Sequence, residues 1–294
     1  MIELGALGLG TAPLGGLYEA VADETAAAVV ERAWELGIRY FDTAPYYGSG
    51  AAERRLGAAL RDRPREELVV STKVGRLLRP GPSGWEGAPP LHAYFDFSHD
   101  AALRSLEQSL ERLGLDRVDI ALVHDPDDHY DEALNGAFRA LTRLREERVV
   151  RAIGVGMNQT EMLCRFARDA DPDCFLVAGR LTLLDRSAEA ELLPLCADRG
   201  IAVIAAGVFN SGVLAGGDTY DYVRAPDGVL ARVERLRTAC GRRGVPLAAA
   251  AVQFPRLHAT VASVLVGCRT PLEVEEDVRL SRLEIPRALW AELA

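Results

Sequence analysis

The sequence is almost without lysine: of its 34 basic residues only Lys73 is a lysine, and arginine fills every other basic position. Paired cysteines are missing too. Five cysteines, at 164, 174, 196, 240 and 268, make an odd, widely spaced set with no CxxC pair and no histidine at zinc spacing. That excludes a disulfide framework or a zinc site and reads as buried thiols, with no metal expected. No apolar run reaches the ~18 residues that cross a bilayer, and the start MIELGALGLG has neither the basic opening nor the apolar stretch of a signal peptide. A cytoplasmic location with no membrane partner is expected. A surplus of positive charge is also absent, the formal charge being -9, so a nucleic-acid partner is excluded.

What is present is ample apolar material, 49% of the chain, with 26% charged residues for a solvated surface. Length alone would suggest about two domains, but barrels of alternating strands and helices commonly reach this size as one. Without a linker, repeat or low-complexity tract, residues 1–294 are expected to form a single domain.

Short β-branched apolar runs alternate with segments of helical period throughout. The strands are expected at 7–12, 39–44, 67–74, 117–124, 150–156, 174–180, 201–208 and 260–267. Between them lie amphipathic segments such as 23–37, opened by Asp23 as N-cap and closed by Gly37, and 99–114, closed by Gly114. Near-continuous hydrophobic strands that each lead into a helix favour an α/β fold of the closed parallel (β/α)8 TIM-barrel type, with a doubly wound open sheet as the alternative. Two long stretches follow strands: 75–97, expected to be a functional lid or a disordered insertion, and 210–226.

In a parallel barrel, polar residues at the C-terminal ends of strands carry a functional reading. Strand two ends in Asp42 and runs through FDTAPYYG to Tyr47, strand three carries Lys73 in STK, and strand four ends in His124 in LVHDP. A lysine cation beside a phenol lowers its proton affinity and makes Tyr47 a proton relay. Asp42 would hold the ammonium charged, and His124 would orient a substrate oxygen. Lysine suits that place, because arginine is a broad fork that does not release its proton. Each residue also has a plainer reading: a turn aspartate, rim-packing tyrosines, a structurally satisfied histidine, a surface lysine.

These motifs, with GVGMN after strand five, resemble the aldo-keto reductases in order from about Leu7 to Asp277. The resemblance implies a catalytic tetrad of Asp42, Tyr47, Lys73 and His124, and a dinucleotide laid across the barrel mouth. It assigns cofactor contacts to Thr11, Asp42, Asn158, to Phe209, Asn210, Ser211, Gly212 and Leu214 of VFNSGVL, and to Gly267, Arg269, Glu273, Glu276 and Asp277 after strand eight. There are departures from the family's pattern. The family's strand-six glutamine is replaced near Ala178, its strand-seven tyrosine by Ala206, and GVGMN shifts the carboxamide contact so that Gly156 or Met157 could share it. Gly267 and Glu273 fall where members preferring NADP carry basic residues, so NAD is favoured, while Arg269 keeps NADP open.

The forms APLGGLY, DTAPYYG and GVFNSG are similar to those of bacterial members that oxidise L-fucose, D-arabinose and related aldoses to lactones; related members act on L-galactose or pyridoxal. Tyr18, Tyr46, Trp85 and His92, with His124, would line the site of a small sugar or aldehyde. A broad reductase of small aldehydes, a dinucleotide-binding sensor without turnover and an aldolase using Lys73 as Schiff-base former remain alternatives. The chain is expected to be a monomer or a weak homo-oligomer.

Overall fold

The computed structural model describes residues 3–17 and 19–293. Eight parallel strands close into a barrel in chain order: β1 (Leu7–Gly10), β2 (Tyr40–Asp42), β3 (Val69–Val74), β4 (Ile120–His124), β5 (Ala152–Met157), β6 (Cys174–Ala178), β7 (Ala202–Ala206) and β8 (Val261–Gly267), with β8 pairing back onto β1. All eight fall within the expected segments or extend past them by a single residue.

Strand alternation sorts the side chains into two shells. Tyr40, Ile120, Leu122, Ala152, Cys174, Leu176, Ala202, Ile204 and Leu265 cluster inside the barrel. Their neighbours Phe41, Ala121, Val123, Ile153, Val155, Val177, Val203 and Val264 pack outward into the layer beneath the helices. Continuing the inner alternation one step up each strand leads from Tyr40 to Asp42 and from Leu122 to His124, while on β3 the same parity runs Val69, Ser71, Lys73. The register pairs Asp42 with Ser71, Lys73 with Leu122 and His124 with Gly156. The apolar filling therefore gives way to ionisable groups at one end.

The helix His99–Leu113 is capped by Ser98, whose hydroxyl accepts from the Ala101 amide at 3.4 Å, and stops at Gly114 in the left-handed region. The other cap differs from expectation. Ala22 holds the N-cap place of Asp23–Glu35, and Asp23 lies in the first turn, where its carboxylate accepts from Arg55 Nε at 2.7 Å. An acidic group there still suits the helix dipole. The stretch 75–97 is also more ordered than a disordered insertion: Arg76–Pro80 and Leu91–Phe95 form an antiparallel hairpin. The second long stretch contains a short ladder pairing Thr219–Tyr220 with Val223–Arg224.

Close backbone packing imposes a residue choice at Gly154 on β5, where an added Cβ would lie 1.8 Å from the Cys174 carbonyl oxygen. Gly154→Ala should cost about 2–4 kcal/mol, because the strand must move to admit one methyl group. Gly228, with nothing within 4 Å of its virtual Cβ, should tolerate alanine within about 0.5 kcal/mol. Chemical unfolding of both variants checks this, and equal stability would contradict the packing.

Candidate active site

Lys73 is 1% exposed and Asp42 3%. The ammonium donates to Asp42 Oδ2 at 2.7 Å and to the Thr43 carbonyl at 2.8 Å. Asp42 Oδ1 accepts from Ser71 Oγ at 2.7 Å, and Ser71 in turn meets the Tyr40 hydroxyl at 3.1 Å. Gly156 lies beside the lysine stem, a Cβ there falling in ordinary contact, 3.5 Å from Lys73 Cε. Burial pulls the ammonium toward losing its proton, but Asp42 and Tyr47 together outweigh it and leave it above the usual lysine value.

Tyr47 is carried by the turn after β2, and Lys73 Nζ lies 4.7 Å from its ring centroid. The phenol does not show the net lowering expected of it. Burial pushes its pKa up to about 12, against the opposing pull of Lys73. His124 sits edge-on to Tyr47, the ring centroids 5.8 Å apart at 89°. Burial, with Arg76 and Lys73 nearby, holds its imidazole well below the usual histidine value, so the ring is neutral at pH 7. Its Nδ1 is buried and has no partner among the described residues.

The hairpin folds back over this cluster. Trp85 packs edge-on against Tyr46 with centroids 5.1 Å apart and lies 6.0 Å from Tyr47. Arg76, at the base of the hairpin, stacks over Tyr46 at 4.6 Å and over Phe95 at 4.8 Å, and donates to Asp125 Oδ2 at 2.6 Å. His92 is not brought in. It is exposed, toward the hairpin tip, and paired across it with Arg79. Tyr18 lies outside the described residues.

The remaining expected positions follow the C-terminal ends of β5, β7, β8 and β1. Asn158 follows β5, and its carbonyl accepts from Arg180 Nε at 3.1 Å. After β7, Asn210, Ser211 and Gly212 are consecutive left-handed residues at φ 46°, 58° and 104°. Phe209 is half-buried, and Leu214 turns into the core below the helices. Among the described residues, Asn210 Oδ1 and Thr11 Oγ1 are buried without partners. After β8, the Arg269 amide donates to Glu273 Oε2 at 2.6 Å, and the Arg269 guanidinium donates to Glu19 at 2.8 Å. Gly267 ends β8, where a Cβ would lie 2.8 Å from Pro13 Cγ. Glu276 is paired with Arg279 at 2.7 Å, and Asp277 is buried against the Cys268 thiol at 3.4 Å. The orphaned polar atoms, small side chains and left-handed loop fit an extended dinucleotide with its phosphates at 210–212.

Ser71, Thr43, Arg76, Asp125 and Arg180 were not singled out from sequence. Period two from Lys73 could have found Ser71, and Asp125 adjoins His124. Arg76 and Arg180 act through loop folding, which left no periodic signal.

A sequence profile described as "Aldo/keto reductase family" matches residues 6–294. The chain is 46% identical to D-threo-aldose 1-dehydrogenase of a Pseudomonas species, over 100% of this chain and 94% of that one. It is 44% identical to pyridoxal 4-dehydrogenase of Microbacterium luteolum, over 98% and 92%. The holo form of an aldo-keto reductase from Bacillus halodurans superposes with a TM-score of 0.77 at 25% identity, over 98% of this chain and 91% of that one.

The proton affinities of the cluster set how stability varies with pH. Unfolding frees His124 to take a proton near pH 6.5, while the folded ring takes one only at lower pH. Its contribution is full above pH 6.5 and is lost on acidification, by up to about 1.4 kcal/mol per pH unit. Tyr47 acts at the other end: the unfolded phenol ionises near pH 10 and the folded one near 12, so its contribution is lost as pH rises between them. Urea unfolding from pH 5 to 7 should therefore show a shallower slope for His124→Gln, and an unchanged slope would mean that the folded ring takes up protons normally.

Proposed function

Because this chain belongs to the aldo/keto reductase family, we propose that it is a nicotinamide-dependent aldose 1-dehydrogenase that oxidises sugars of the L-fucose, D-arabinose or L-galactose type at C1 to the lactone. The observation that carries the chemistry is the buried Lys73 ammonium, tied to Asp42 at 2.7 Å and facing the Tyr47 ring beside a neutral His124. The substrate class rests on the relative that is 46% identical along the whole chain.

A bound oxidised nicotinamide dinucleotide supplies the hydride acceptor. His124, kept uncharged, holds the anomeric oxygen by a hydrogen bond. Tyr47 takes the proton of that hydroxyl as the C1–H bond breaks and the C1 carbonyl forms. Lys73 stabilises the phenolate against burial, and Asp42 keeps Lys73 charged and in place. In the reverse direction the neutral phenol is the acid that protonates a carbonyl oxygen. The half-buried Trp85 and Tyr46 give the sugar an apolar wall. A planar aromatic aldehyde would meet the same wall, which supports a second reading in the direction of the pyridoxal-oxidising relative.

NAD is the preferred cofactor in this reading. Arg269, the cation available to a 2′-phosphate, is already met by Glu19 at 2.8 Å and lies 3.9 Å from Glu273. A phosphate brought there would face both carboxylates.

Four outcomes are expected. A panel of L-fucose, D-arabinose, L-galactose and pyridoxal, scored by kcat/KM with each cofactor, should place an aldose with NAD first; a clear preference for pyridoxal would support the second reading. Tyr47→Phe should lower kcat about 100- to 10,000-fold, and wild-type oxidation should climb with pH on the alkaline side, as a phenol raised to about 12 requires. Glu273→Gln should raise the NADP-to-NAD efficiency ratio about tenfold, and an unchanged ratio would remove Glu273 from cofactor choice.

A further inference from the structure

Asp125 follows His124 at the barrel mouth, and its carboxylate keeps spare hydrogen-bonding capacity among the described residues. Its backbone is left-handed at φ 43°, an uncommon conformation for a non-glycine residue, and its amide is tied to the Gly156 carbonyl at 3.0 Å. Arg76 donates to Oδ2 at 2.6 Å, and the same oxygen lies 3.6 Å from His124 Nε2. Among the described residues Oδ1 has no hydrogen-bond partner, yet the side chain is only 26% exposed. Arg76 is itself sandwiched between Tyr46 and Phe95. The carboxylate is thus clamped through Oδ2, the oxygen 3.6 Å from His124 Nε2, and its Oδ1 is left without a protein donor among the described residues.

We infer that Asp125 is a specificity-determining residue that accepts a hydrogen bond from the hydroxyl on the carbon next to the reacting C1, selecting 2-hydroxy aldoses over substrates lacking that group. This rests on the aldose reading above and narrows it. The hydroxyl on the neighbouring carbon is three bonds from the oxygen held by His124, so a carboxylate that starts 3.6 Å from that imidazole and keeps one oxygen without a protein donor is within reach of it. Strain at a clamped side chain fits a group held for a ligand. An acceptor that is already ionic and partly desolvated discriminates strongly, because a substrate without the donor leaves it unpaired. Arg76 offsets the charge, so a neutral polyol is favoured over a phosphorylated sugar.

The groups facing His124 are Arg76 from the hairpin, Lys73 from β3, Tyr46 and Tyr47 from the turn after β2, and Asp125 itself. If Asp125 acted only by tuning His124, its loss would slow every substrate alike. The test is kcat/KM for L-fucose and 2-deoxy-L-fucose with wild type, Asp125→Ala and Asp125→Asn, using the complete chain with NAD. The wild type should prefer L-fucose about 10- to 100-fold. In Asp125→Ala the L-fucose rate should fall far more than the 2-deoxy rate, bringing the ratio toward one. Asp125→Asn, which keeps an acceptor oxygen and the shape, should fall between. Equal losses on both sugars, or an undiminished ratio in Asp125→Ala, would overturn the assignment. Turnover of the 2-deoxy sugar shows that each variant is folded. A wild type that oxidises neither sugar while oxidising pyridoxal would overturn the aldose reading and this inference with it, whereas a failed ratio alone leaves that reading standing.

Discussion

An ammonium group taken out of water must find anions and carbonyls at close range or give up its proton, and the upper half of this barrel is organised around that requirement at Lys73. Removing such an ion from water costs several kcal/mol, and the structure offsets the cost with a carboxylate at 2.7 Å and a carbonyl at 2.8 Å. Asp42 must be held in turn, and the hydroxyls of Ser71 and Tyr40 continue the chain into the barrel. Arginine supplies every other basic position in the sequence, but its fork would not fit this narrow, inward-pointing place.

The charge so fixed acts on its neighbours in opposite ways. It lowers the proton affinity of Tyr47, yet burial is the larger effect and the phenol remains above its ordinary value. It also helps burial and Arg76 to exclude a proton from His124. The outcome below pH 10 is a neutral acid beside a neutral hydrogen-bonding ring, a pair suited to protonating a carbonyl oxygen directly and to oxidation at higher pH. Reading Lys73 and Tyr47 as a pair predicted the direction of the lysine's influence. It could not weigh that influence against desolvation, which depends on how much of the chain closes over the ring.

How much was legible in the sequence follows from which features are periodic. Barrel strands repeat every two residues, so the parity that buries Leu122 also turns His124 inward, and the same rule points Asp42 and Lys73 to one end. The hairpin at 76–95 carries no such repeat. Its prolines and aromatics read as a long irregular connection, whereas the chain pairs Arg76 with Phe95 and returns Trp85 to Tyr46 and Tyr47. His92 and Trp85 looked equivalent in that stretch, and only the fold separates them: the register leaves His92 exposed opposite Arg79, while the connection returns Trp85 to the tyrosines. Asp23 shows the same limit at short range, since its carboxylate goes to Arg55, a residue 32 positions away.

The outer shell completes the positioning. Thr72, one residue before Lys73, has the opposite parity and points out of the barrel, where its hydroxyl donates to Glu53 at 2.7 Å. Glu53 is fully buried in the first turn of the helix that begins just after Tyr47, and its other oxygen accepts from Arg112 at 2.6 Å. Adjacent residues of one strand thus hold the ammonium on the inside and the tyrosine-bearing segment on the outside. Because the strand is rigid, the separation of Tyr47 from Lys73 is set from behind as well as across the mouth. A loop-borne proton relay can then keep its geometry without contact to any strand other than those beside it.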